Sequence, residues 1–228
     1  MLMMMGTHSG AGKHFLLSGL ARILSDEGIC LLPFKGLCFD QALYTTRTGS
    51  LMTPSQAIQS IAARVEATAR ASPVICHPKG IVIDGVLKAS SAIPSLDEIK
   101  SIATTAARSI PGRILAEGGG SPAEFSISDD VPNIFVARLL EPHIVLVGDM
   151  FAGGAFAHIK GTLDLMPPDV RERVAGIILN RALLRGDERE FWLAVIGRDV
   201  RDLRRIRANR RASRCRPPAP RRRSSFRS

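Results

Sequence analysis

One stretch near the start of the chain, Gly6-Thr7-His8-Ser9-Gly10-Ala11-Gly12-Lys13, constrains the fold more than any other feature. An apolar run, Leu2 to Met5, leads straight into it. Behind it Phe15, Leu16, Leu20, Ile23 and Leu24 recur at helical spacing, with Gly28 as a stop, so the spacing predicts a helix over 13 to 27. A strand, a small-residue turn and a helix in that order form the setting in which main-chain N–H groups can close on phosphate oxygens at the positive end of a helix. Small side chains permit that approach, and Lys13 supplies a cation for the β and γ phosphates. Gly6, Thr7, His8, Ser9, Gly10, Ala11, Gly12, Lys13 and His14 are therefore the candidate nucleotide-binding residues. Two positions depart from the strict spacing. Thr7 stands where the first glycine belongs, so Gly6 leads by one extra residue, and His14 replaces the Ser or Thr that offers Mg²⁺ a hydroxyl. Imidazole is a poor ligand for so hard an ion.

The rest of the chain fits an α/β protein. Short apolar runs at Ile29 to Phe34, Pro73 to Cys76, Ile81 to Ile83, Arg113 to Ala116, Ile144 to Val147 and Gly176 to Leu179 alternate with longer helical patterns. They read as strands of a mostly parallel sheet flanked by helices. Thr53-Pro54 opens a second helix, with Thr53 as N-cap and Ile58, Ile61 and Val65 as its apolar positions. Ser95 and Glu98 have the spacing of a capping box for a third helix near 95 to 108. A fourth follows Gly153-Gly154. No internal repeat is visible.

Net charge divides the chain in two. The whole carries +10, which on its face favours a nucleic-acid partner. Residues 201 to 228, however, hold 12 Arg and a single acidic residue, Asp202, leaving the first 200 residues at −1. From about Arg198 onward periodicity gives way to Arg, Pro and Ser, and like charges at that density repel with nothing apolar to fold them. The expected organisation is a domain over 1 to 197 and a disordered tail over 198 to 228. Only such a tail would contact nucleic acid, through phosphates. Cys30, Cys38, Cys76 and Cys215 have neither C-x-x-C spacing nor a His at metal-ligand distance, so a disulfide framework or zinc site is not expected. No apolar run approaches the roughly 18 residues of a membrane span, and no signal peptide leads the chain. A cytoplasmic location follows as the expectation.

The most specific stretch lies at the end of another predicted strand: Ala116-Glu117-Gly118-Gly119-Gly120-Ser121-Pro122-Ala123-Glu124. It resembles the E-G-x-G-S-P-A-E signature of cobyric acid synthase, the glutamine-dependent amidotransferase of cobalamin biosynthesis. Gly6 to Lys13 is similar to that family's G-T-x-S-x-A-G-K loop, Pro33-Phe34-Lys35 to its P-F-K strand end, and Gln56-Ala57-Ile58-Gln59 to its A-Q-A-x-Q-A helix. Val147-Gly148-Asp149 with Gly153, Gly154 and Phe156 resembles V-G-D-x-x-x-G-G-x-F, and Ile178-Leu179-Asn180-Arg181 resembles I-L-N-R. The likeness extends over roughly residues 2 to 190.

The resemblance implies a P-loop NTPase fold of the dethiobiotin-synthetase type and an ATP-dependent carbon–nitrogen ligase. ATP with Mg²⁺ would phosphorylate a corrinoid side-chain carboxylate, and ammonia derived from glutamine, or free, would displace the phosphate to leave an amide. By the same likeness Lys13, Lys35 and Glu117 are the catalytic residues. Glu117 is also the metal ligand, Asn180 reads the adenine edge, and the assembly is a homodimer. Taken singly, Glu117 has the plainer role of a capping carboxylate, Asp149 that of an N-cap and Asn180 that of a turn residue. Leu37-Cys38-Phe39 departs from the family's Q-N-M. The family's glutaminase domain, with its Cys nucleophile and His base, is expected to be absent, and the arginine-rich end reads as a truncated or frame-shifted product. Two further functions stay open: a partition-type ATPase with the tail as its DNA tether, and a dethiobiotin-synthetase-like ligase.

Overall fold

Alternation along the strands decides which side of the sheet each side chain enters. In β1 (Leu2–Gly6), Met3 and Met5 enter one apolar cluster and Met4 another, as a period of two requires. The computed structural model describes residues 1–124 and 128–182. In it β1 is the central member of a five-stranded parallel sheet that also holds β2 (Leu31–Phe34), β9 (Arg113–Glu117), β10 (His143–Asp149) and β11 (Val174–Asn180), in the order β11-β10-β1-β9-β2. Both faces are covered by helices, which is why these strands read as apolar runs. On one face α1 (Lys13–Asp26) packs Leu17 and Ala21 against Met4, Leu115 and Val147. On the other, Ala106 and Ala107 of α3 (Leu96–Ser109), Val136 and Ala137 of α4 (Val136–Leu140), and Ile159 and Leu163 of α5 (Ala155–Leu165) meet Met3, Met5, Ile144 and Leu146. The short α6 (Pro168–Arg171) adds Val170 to the same cluster.

Two predicted strands do not join this sheet. β6 (Val74–His77) and β7 (Gly80–Ile83) pair with each other as an antiparallel hairpin in a smaller sheet, ordered β3-β6-β7-β8, with β3 (Cys38–Phe39) and β8 (Val86–Lys88). The reason is length: parallel neighbours need a crossover of a dozen or so residues, and the two runs are separated by a tight turn. A further pair, β4 (Tyr44–Thr45) with β5 (Leu51–Met52), was too short to leave a periodic signal.

The capping box at Ser95 is present in both directions, and α3 starts directly behind it. α2 (Pro54–Ala62) starts behind Thr53 but differs from the expected amphipathic helix in which face it buries. Ile58 and Ile61 are 49% and 62% exposed, whereas Gln56 and Gln59 are wholly buried. Val65 lies beyond the helix, which ends at Ala62 and turns at Arg64 with φ 57°.

Strand order places the site. β2 and β9 lie on one side of β1, and β10 and β11 on the other, so the order reverses at β1. A crevice opens at such a point, outside the carboxyl ends of the strands. Register brings Gly6, Lys35, Glu117, Asp149 and Asn180 to that one edge: Met4 pairs with Glu117, Phe34 with Ala116, Gly6 with Val147, and Asp149 with Asn180. The predicted tail over 198 to 228, with Cys215 and the division at residue 197, lies outside the described residues. Cys38 is buried and Cys30 and Cys76 half-buried. Among the described residues no helix is long and apolar enough to cross a membrane.

Candidate active site

The loop between β1 and α1 is shaped around Gly12, the residue before the helix, at φ 95°. A side chain there would be strained, and its Cβ would lie 2.2 Å from the Asn180 amide nitrogen. No side chain caps α1, so the first-turn amides of the helix face the crevice without intrahelical acceptors. The Thr7 hydroxyl is buried in the loop without a partner. Gly6 leaves room for the Lys13 ammonium, which would sit 2.8 Å from a Cβ at that position.

Lys13 is buried and folds back under the loop, where its Nζ donates to the Gly120 carbonyl at 2.9 Å and the His8 carbonyl at 3.3 Å. Among the described residues it forms no salt bridge. Burial, opposed by the nearby Glu117 charge, lowers its pKa to about 8. A buried cation held by carbonyls alone, beside unpartnered donors, is suited to an anion. His14 is exposed on the helix surface.

Across the crevice Lys35 donates to Glu117 Oε1 at 2.9 Å. Burial works to lower the Lys35 pKa, but the Glu117 charge and hydrogen bond more than compensate and leave it raised. Gln56 Nε2 donates to the other oxygen, Oε2, at 3.3 Å, and Gln59 Nε2 donates to it as well. Lys35 also sits close to Cys38, whose thiol burial pushes up to about 12; that sulfur is no nucleophile at neutral pH.

A second layer fixes the turn that follows Glu117. Asn133, carried on a π-helical turn (Val131–Phe135), donates to the Gly119 carbonyl at 2.6 Å, and its amide is held by the Asp130 carboxylate at 3.0 Å. Burial raises the Asp130 pKa to about 6 against the lowering effect of the Asn133 bonds. The chain of contacts runs from Asp130 through Asn133 to the turn whose Gly120 carbonyl receives Lys13.

At the other end Asn180 donates to the Ala11 carbonyl at 2.9 Å and accepts from the Arg181 amide at 3.0 Å. In this structure it ties the loop to β11. Asp149 is buried and grips Arg181, whose Nε lies 2.8 Å from its Oδ1. The Arg181 hydrogen bond, first of several, holds that carboxyl below its usual range. It also lies 3.6 Å from His8 Nε2. Asp149 thus braces the crevice and caps no helix.

Comparison with known proteins gives the family. No protein-family model matches the chain. It is 34% identical over 205 residues to a cobyric acid synthase of Prochlorococcus marinus strain NATL1A, covering 83% of this chain and 41% of that protein. It is 33% identical over 219 residues to a probable cobyric acid synthase of Archaeoglobus fulgidus, covering 90% and 46%, and 36% identical over 199 residues to that of Methanoculleus marisnigri, covering 82% and 40%. The chain belongs to the cobyric acid synthase family. It spans between 40% and 46% of the length of these relatives.

In this cobyric acid synthase relative the structure brings together Gly6 to Lys13, Lys35, Glu117 and Asn180, with His14 exposed directly behind Lys13. Sequence reasoning missed Asp130, Asn133 and Arg181 as parts of the site. Gln56 and Gln59 were quoted only as part of a matching helix. The signal that could have found them was the polar face of that helix, which apolar periodicity overlooks. The crevice fits a polyphosphate by its orphaned Thr7 hydroxyl, its loop amides and buried Lys13. For Mg²⁺ the donor set is slender: among the described residues no three His, Cys, Asp or Glu side chains converge on a metal position. The Glu117 charge acts on Lys13 across the crevice, which suits an ion that the phosphates themselves carry.

Proposed function

We propose that the chain is the ATP-binding synthetase part of a cobyric acid synthase, a P-loop domain of the dethiobiotin-synthetase type that activates corrinoid carboxylates for amidation. The observation that carries this reading is the meeting, at one edge of the parallel sheet, of a buried unpaired lysine in a glycine loop with a Lys35–Glu117 pair on the neighbouring strand ends. Bound ATP would supply the phosphoryl group that makes the carboxylate a good acyl donor, and Mg²⁺ would spread the phosphate charge, with Glu117 as its protein ligand. The chain's own residues would do the positioning. The loop amides and Lys13 hold the phosphates in line, and Lys35 offers its ammonium to the carboxylate or to the phosphoryl oxygens as charge moves between them. This is work for fixed positive charge rather than for covalent chemistry. Ammonia, free or delivered by a glutaminase, would then displace the phosphate.

The test is to incubate the purified chain with ATP, Mg²⁺, cobyrinic acid a,c-diamide and an ammonium salt. ADP should appear in step with amide formation. Release of ADP without dependence on the corrinoid, or no ADP at all with ATP bound, would sink the assignment.

A further inference from the structure

The inner face of α2 is the least expected packing in the molecule. A helix that turns isoleucines to solvent and two glutamines to the interior sacrifices apolar burial, and Gln59 keeps one oxygen, Oε1, buried with no partner. Both glutamine amides converge on a single atom, Oε2 of Glu117. Gln56 is itself secured: its own Oε1 accepts from the hydroxyls of Thr53 and of Ser55, the latter at 2.9 Å. The Thr53 amide is in turn bound to the Ser72 hydroxyl at 3.1 Å. A carboxylate has about four acceptor sites. Oε2 spends both of its sites on the two glutamines, and Oε1 spends one on Lys35.

We propose that Gln56 and Gln59 are positioning residues that pin Oε2 of Glu117, so that the carboxylate and Lys35 act as one fixed pair and Glu117 offers the crevice a single remaining acceptor site, on Oε1. The purpose of that pair rests on the synthetase reading given above, but the pinning does not. With the amides removed, the carboxylate is free to rotate about its terminal torsion, a broad two-fold well, and Lys35 loses its fixed partner. With them in place, a cation or a substrate group can meet Glu117 from one direction only.

The experiment reads the Glu117 carboxylate in the full chain without nucleotide. Crystal structures of the wild type and of Gln56→Leu/Gln59→Leu are compared, with folding checked by circular dichroism. In the wild type the carboxylate is expected in one orientation, with Oε2 on both glutamine amides and Oε1 on Lys35. In the double variant it should turn about its terminal torsion and occupy more than one orientation. A single unchanged orientation in the folded variant overturns the proposal. Should the leucines prevent folding, Gln59→Asn keeps the amide but is one methylene too short to reach, and it must loosen the carboxylate in the same way or the proposal fails. Since no nucleotide is present, failure to bind ATP would count against the synthetase reading and leave this result standing.

Discussion

Nucleotide binding should recharge Lys13, and the chain should therefore take up protons as it binds. With a pKa of about 8 in the free protein, Lys13 is neutral in about a tenth of molecules at pH 7, half at pH 8 and nine tenths at pH 9. A polyphosphate in the loop replaces the solvation that burial removed and draws the ammonium back to full charge. The expected uptake is about 0.1 proton at pH 7, 0.5 at pH 8 and 0.9 at pH 9, and affinity should fall about tenfold from pH 7 to pH 9. Isothermal titration of ATP in two buffers of different ionisation enthalpy measures the uptake directly. Values at pH 8 and above are the decisive ones, because phosphate groups with a pKa near 6 no longer titrate there. The same shift costs the folded state up to about 3 kcal/mol at neutral pH, relieved as pH rises from 8 towards 10.5. Lys13→Met should consequently melt higher than wild type while binding no ATP. Binding with no buffer-dependent heat at pH 8 would refute the account of Lys13, and wild-type binding by Lys13→Met would refute the loop assignment itself.

Other consequences follow from single contacts. Gly12→Ala should force a Cβ onto the Asn180 amide and hold a strained φ, lowering stability by about 1–2 kcal/mol in thermal melts and weakening ATP binding with it; a neutral result in both would deny that Asn180 closes the loop. Asp130 titrates near 6 when folded, above its ordinary value, so its contribution is greatest in acid and is lost as pH rises from about 4 through 6. Denaturant titrations across that range should show a fall that flattens in Asp130→Asn, and an equally steep fall in the variant would assign it to another group. Ser95→Ala removes the hydroxyl that accepts from the Glu98 amide and keeps the backbone N–H that Glu98 accepts from, and should cost about 1 kcal/mol of stability with ATP affinity unmoved; a change in affinity would mean that α3 reports to the site.

Much of the architecture was legible along the chain because it rests on local signals. The alternation of apolar runs with helical patterns located all five strands of the parallel sheet, and Ser95 with Glu98 located a helix start to the residue. Gly6 to Lys13 announced its loop because a backbone at φ 95° beside a buried ammonium tolerates only small residues. Where the strand reading went astray, the cause was pairing. Val74–His77 and Gly80–Ile83 are strands by any local criterion, yet whether a strand joins one sheet or another is set by what its turn permits and which neighbour is available.

The residue types and their order thus determined that strands would end in a glycine-rich loop, in P-F-K and in a glutamate before glycines, since each of these is written within a few neighbouring positions. Only the tertiary structure decided that Lys35 meets Glu117 across a gap of 82 residues, that Gln56 and Gln59 turn inward in place of Ile58 and Ile61, and that Asp130 and Asn133 support the turn over Lys13. Those contacts depend on register between β1, β9 and β2 and on how α2 lies over the strand ends. Such relations link residues far apart in the chain, and no local pattern encodes them.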